Sequence, residues 1–221
     1  MLTKGRYTMT TQELQALLVA HDDGVLKYGK HEEGSREFCA LEFDSLVRGR
    51  LFSDNAITLP DLRPLNDAFG EDDSVRTREL LPVMAALWDW VDWSPARRHT
   101  WVNQIMIGTV QQIISKLPNI GAEVAQLCRT AQTVEEVVHS AALAVAAASA
   151  TWSARSAASA ARSAALAASA AESAASAAAW SARSARSAAS AASEASEEGN
   201  DILHVACVLW CEAAEQTSHI V

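Results

Sequence analysis

The chain has 221 residues, 49% of them hydrophobic and 20% charged, with 18 basic and 27 acidic side chains and a formal charge of −9. That size fits one domain, or one domain with an extension. The acidic balance excludes a general nucleic-acid-coating role, which needs a basic face to displace counterions. No apolar run approaches the roughly 18 residues of a transmembrane helix, and no basic-then-apolar-then-small leader opens the chain. The expectation is a cytoplasmic protein with reduced thiols and no membrane partner.

Residues 1–9 are polar and irregular and read as a flexible N-terminus, and Met9 offers an alternative start to Met1. Thr10 followed by Glu13 forms a capping box that predicts a short helix to about Ala20. His21–Gly34 is rich in turn residues. A second helix is expected from about Ser35 to Arg48, ended by Gly49, with Cys39 in its interior. A short helix over Leu62–Phe69 follows, and then one from the Asp72-Asp73-Ser74 caps to Trp88. Pro82 lies inside that last helix and predicts a kink or a break.

Ser94-Pro95 places a cap before proline at the first helical position. The helix it opens carries Trp101, Val102, Ile105, Met106, Val110, Ile113, Ile114 and Leu117 in a 3.6-residue stripe. A short helix over Ala122–Ala131 comes next. No run of alternating β-branched residues predicts a strand. These elements make residues 10–132 a compact helical domain.

Thr133 with Glu136 repeats the capping box, and from there to Glu198 the chain contains neither Gly nor Pro. Residues 141–196 hold 30 Ala and 14 Ser, a composition with high helix propensity that adds little apolar burial. The block Trp152-Ser-Ala-Arg155-Ser-Ala recurs as Trp180-Ser-Ala-Arg183-Ser-Ala, with Leu166 midway. A seven-residue period of this kind favours helices that supercoil together. Residues 133–198 are therefore expected to form one long helix or a helical hairpin. As one helix they would span roughly 95 Å at 1.5 Å per residue. Gly199-Asn200-Asp201 would close it and cap a C-terminal helix within residues 199–221, whose apolar face is Ile202, Val205, Ala206, Leu209 and Trp210. The fold class is all-α.

Charge is segregated along the chain. Residues 1–140 carry net −6, residues 141–193 net +3 and residues 194–221 net −6. The strip Trp152, Arg155, Arg162, Trp180 and Arg183 is thus a basic, aromatic surface on an acidic chain. It suits a protein partner or a small anionic ligand.

The most distinctive local text lies between residues 29 and 82. It runs from His31 to Cys39 and Glu42, through Ser53-Asp54 to Arg63, Asn66 and Asp67, and on to Arg76 and Thr77. These motifs, with the Ala-rich tail, resemble a family of uncharacterised bacterial and phage proteins. Those proteins combine a Cys-x-x-Glu helix, a Ser-Asp loop, an Asn-Asp helix and an Arg-Thr helix. The resemblance implies a helical architecture and a phage or mobile-element setting, and no activity. Read as chemistry, His31 with Cys39 suggests a thiolate–imidazole pair, and His31, Glu42, Asp54 and Asp67 suggest metal ligands. Neither set has supporting spacing. His31, Cys39, Glu42, Asp54, Arg63, Asn66, Asp67 and Arg76 are instead expected to form a polar network that fixes how helices and loops meet.

No phosphate loop, dinucleotide fingerprint or nucleophile elbow is present, and neither cofactor nor metal is expected. The leading functional expectation is a non-enzymatic interaction or assembly protein, a homo-oligomer joined through the Ala/Ser segment. The alternatives are a protein that captures a small anionic, nucleotide-like ligand, and an enzyme with its site near His31, Cys39 and Glu42.

Overall fold

The computed structural model describes residues 8–21, 23–34, 36–117, 120–148 and 198–220. Among them the fold is all-helical, without strands. Eight α-helices follow in order: α1 (Thr11–His21), α2 (Ala40–Val47), α3 (Arg63–Ala68), α4 (Asp73–Ala86), α5 (Pro95–Gln112), α6 (Ala122–Thr130), α7 (Val134–Ala148) and α8 (Glu198–Gln216). Single 3₁₀ turns at Trp90–Asp92 and Ile114–Lys116 flank α5. No helix among the described residues is long and apolar enough to cross a membrane.

The expected caps start several of these helices. Thr10 and Glu13 exchange hydrogen bonds ahead of α1, and Thr133 and Glu136 do so ahead of α7. The Asp72 carboxylate accepts from Val75 N, and the Ser94 hydroxyl from Arg97 N. Gly49 ends α2 in the left-handed region at φ 63°, where its N–H reaches Leu46 O at 2.9 Å.

Boundaries differ where tertiary contacts compete with local preference. The helix expected from Ser35 begins only at Ala40. Lys27 N bonds Phe38 O at 2.9 Å and holds that stretch extended, so Cys39 is the N-cap residue of α2 and not part of its interior. α4 runs through Pro82 without a break and stops at Ala86. The apolar stripe of α5 stays buried through Leu117, but the backbone tightens to 3₁₀ after Gln112. α8 opens at Glu198, three residues before the expected cap at Asp201, with Gly199 and Asn200 in its first turn.

α8 packs across α4 and α5, while α5 also meets α6 and α7. The seam between α5 and α8 is built on tryptophan. Trp101 stands edge-on to Trp210, with ring centroids 5.2 Å apart, and its indole N–H donates to Trp210 O at 3.2 Å. Trp90 and Trp93 close around Trp101 at 4.9 and 6.1 Å. One glycine allows the close approach: a Cβ on Gly108 would lie 2.6 Å from Leu209 Cδ2. α1, α2 and α3 join this body through α4 and through the connecting segment between Leu26 and His31.

Candidate functional site

The segment from Leu26 to His31 is non-helical, bends at Tyr28 and Gly29 and belongs to no sheet, so its backbone polar groups need partners from elsewhere. Side chains supply four of them. Thr77 Oγ1 accepts from Leu26 N at 2.7 Å, and Arg76 Nη1 donates to Leu26 O at 3.0 Å. Asn66 Nδ2 donates to Lys27 O at 3.2 Å. Glu42 Oε1 accepts from His31 N at 2.8 Å. This irregular segment is thereby clamped to α2, α3 and α4.

Glu42 is the hub on α2 and is completely buried. Besides the His31 main chain, its carboxylate accepts from Cys39 N at 2.9 Å and from His31 Nδ1 at 2.8 Å. Facing a carboxylate, Nδ1 is the donor, which leaves Nε2 as the outward nitrogen. Nε2 lies 4.0 Å from the exposed Glu37 carboxylate. Asn66 Oδ1 accepts from Ala40 N at 3.3 Å, and its amide also donates to Asp67 Oδ1. The Arg76 guanidinium, also fully buried, donates to the carbonyls of Asn66, Leu26 and Gly70 and to the Asp73 carboxylate. Its charge is balanced by a partner that is itself held in place, since Asp73 also takes Lys27 Nζ at 3.2 Å.

The structure thus brings His31, Cys39, Glu42, Asn66, Asp67 and Arg76 together. Arg63 and Asp54 stand at the edge. Arg63 is half-exposed and forms a forked pair with Asp61, and Asp54 meets Lys30 at 3.8 Å. The strip Trp152, Arg155, Arg162, Trp180 and Arg183 lies outside the described residues. Among the described residues no three His, Cys, Asp or Glu side chains converge as a metal set.

Thiolate chemistry at Cys39 is opposed by its surroundings. Burial pushes the thiol up to about 12, and the neighbouring Glu42 carboxylate adds to the shift. Cys207 and Cys211, one turn apart on α8, are pushed up by burial as well, Cys211 to about 11.

The polar network expected from the sequence omits Lys27, Thr77 and Asp73, which complete the clamp. Asp73 and Arg76 stand three apart on α4, the spacing of a helical pair, and that was the available signal. It also passes over a second polar group beside the clamp. Buried Asp44 accepts from Arg48 Nε at 2.6 Å and from Thr58 Oγ1. Arg48 stacks 3.7 Å from the Trp88 ring and donates to Trp88 O. Comparison with protein-family models, with curated proteins and with solved structures finds no match for this chain.

Proposed function

We propose that the protein is a non-enzymatic assembly protein that self-associates through its Ala/Ser-rich segment. The observation that carries this reading is how the candidate catalytic groups are used. The Glu42 carboxylate, the Asn66 amide and the Arg76 guanidinium direct their polar atoms at the chain's own backbone and neighbours. The Cys39 thiol resists ionisation. A helical domain so occupied with holding itself together serves as a rigid platform. The seven-residue register of residues 141–196 then supplies the contact surface, on which small side chains let helix backbones approach closely. The basic strip on that segment meets acidic protein surface, within the chain or across the oligomer. The assembly belongs in the cytoplasm, where four free thiols persist. A phage or mobile-element setting rests on the resemblance of residues 29–82 alone.

Light scattering on the full chain at tens of micromolar tests this reading, with a stable oligomer as the expected result. A monomer would overturn it. Changing Arg155, Arg162 and Arg183 together to Gln weakens assembly most clearly at low salt, because exposed pairs contribute at most about 1 kcal/mol each. A triple variant that assembles normally but no longer binds a small anion such as a nucleotide would move ligand capture to the front.

A further inference from the structure

We propose that His31 and Glu37 hold a divalent transition-metal ion of zinc's donor preference. The His31 Nε2 atom and the Glu37 carboxylate are its two protein donors, and buried Glu42 supports the imidazole from behind. This site goes beyond the self-association proposed above and stands or falls independently of it.

The imidazole is fixed in place by the fold itself. Glu42 is completely buried and grips His31 twice, accepting from its main-chain N–H at 2.8 Å and from Nδ1 at 2.8 Å. Cys39 N holds the same carboxylate at 2.9 Å. With the ring proton committed to Glu42, the lone pair of Nε2 faces outward. A carboxylate behind Nδ1 and an outward Nε2 are the support that orients histidines on metal ions, since it fixes the tautomer and raises the basicity of the ligand. Glu42, read from the sequence as a metal ligand, therefore stands behind the site, and Glu37 takes its place in front.

What faces Nε2 is another acceptor. The Glu37 carboxylate lies 4.0 Å away, on a side chain that is 61% exposed. A lone pair and a carboxylate repel one another unless a cation lies between them. The distance selects the cation. At 4.0 Å a shared proton makes no hydrogen bond. Zinc takes an imidazole nitrogen at about 2.0–2.1 Å and a carboxylate oxygen at about 2.0–2.2 Å, which sets the two donors about 3.4 Å apart at a tetrahedral angle and about 4.2 Å apart in line. The observed 4.0 Å falls within that span, and the exposed Glu37 side chain is able to close it further. One nitrogen and one carboxylate suit zinc better than calcium or magnesium, which take oxygen donors alone. No third His, Cys, Asp or Glu among the described residues converges there, so water fills the remaining positions and the ion is exchangeable.

The test titrates zinc chloride into the full chain, with histidine labelled for nitrogen NMR and a non-chelating reductant present. The expected result is that the Nε2 resonance of His31 moves with zinc while Nδ1 keeps its proton. The ring is read directly, so zinc taken up by the four free thiols does not enter the answer. His31→Asn identifies the resonance by its loss. Glu37→Gln removes the charge of an exposed side chain and keeps its size, and it should weaken the zinc response of His31 at least about tenfold. Persistence of the Nδ1 proton in that variant shows that the Glu42 clamp is intact. A His31 ring left unmoved by millimolar zinc overturns the proposal, and so does an unchanged response in Glu37→Gln.

Discussion

Two halves of the molecule solve the same problem in different ways. Around the Leu26–His31 segment the elements are short, and α2 and α3 span only 8 and 6 residues. Such pieces bury little apolar surface and leave many main-chain groups without a ladder or a helix to satisfy them. Buried Glu42, Asn66, Arg76 and Thr77 therefore act as substitutes for secondary structure. Between α5 and α8 the elements are 18 and 19 residues long, and their backbones are satisfied internally. There the requirement is shape, met by edge-to-face indoles and by the missing Cβ of Gly108. Polar atoms set the geometry of the first region, and fit sets that of the second.

This contrast breaks most visibly at the tryptophan seam. Trp210→Ala removes a fully buried indole and leaves a cavity beside Trp101. The expected loss is about 3–5 kcal/mol, read from urea unfolding. Because α8 is the partner that loses its anchor, limited proteolysis of this variant should cut within α8 before α4 or α5. A variant that retains wild-type stability would show that α8 is not part of the cooperative core.

Arg76→Met tests the polar half. It preserves a long apolar stem but strips donors from three carbonyls and one carboxylate. Buried acceptors left without a donor cost roughly 1–3 kcal/mol each, and relaxation returns part of that, so a loss of about 2–4 kcal/mol is expected. Hydrogen exchange should rise first at Leu26 and Lys27 and leave α5 and α8 protected. Uniform loss of protection would mean that the two halves unfold as one and that the contrast drawn above has no energetic counterpart.

The two halves were also unequally legible in the sequence. α1, α5 and α7 announce themselves through Thr10–Glu13, Ser94-Pro95 and Thr133–Glu136, because a cap and its helix lie within a few residues of each other. The stripe from Trp101 to Leu117 is equally local. The clamp is not local: Thr77 reaches Leu26 across 51 positions and Arg76 reaches it across 50. Residue types at Glu42, Asn66 and Arg76 mark them as polar groups with a task. Many of their partners are main-chain atoms, which carry no sequence signal, and nothing local ties Thr77 to Leu26 or Lys27 to Asp73. The late start of α2 has the same origin, since the Lys27–Phe38 backbone bond overrides a local helical preference.

A smaller effect sharpens the link between α4 and α8. Burial pushes the Glu79 carboxyl up, and hydrogen bonds from His204 and Arg78 more than offset that, leaving it below the ordinary glutamate value. A folded value below the unfolded one stabilises the protein above the ordinary carboxylate range. That contribution is lost as pH falls through the folded value. Glu79→Gln should therefore cost under about 1 kcal/mol at neutral pH, since His204 and Arg78 are both largely exposed. The same variant should show a shallower fall of melting temperature below about pH 4.5 than the wild type. An unchanged acid slope would mean that Glu79 does not help to seat α8.

A change of comparable size at neutral pH is Cys39→Ala, and its information lies in alkali. Replacing the buried N-cap thiol by a methyl group removes one heavy atom and costs about 1 kcal/mol. An unfolded thiol ionises near 9, whereas burial holds Cys39 in the folded chain up to about 12. As pH rises through 9 the unfolded state gives up a proton that the native state keeps, so stability falls with pH. Alanine has no proton to lose. The variant should therefore lose less stability than the wild type between about pH 8 and pH 10.5, measured as urea midpoints under reducing conditions. Cys128, Cys207 and Cys211 are shifted in the same direction, so the alkaline slope is reduced and not abolished. If the two slopes coincide, the Cys39 thiol ionises within the folded domain about as readily as outside it. A thiolate would then sit beside the His31–Glu42 pair, and the case for a non-enzymatic platform would lose its main support.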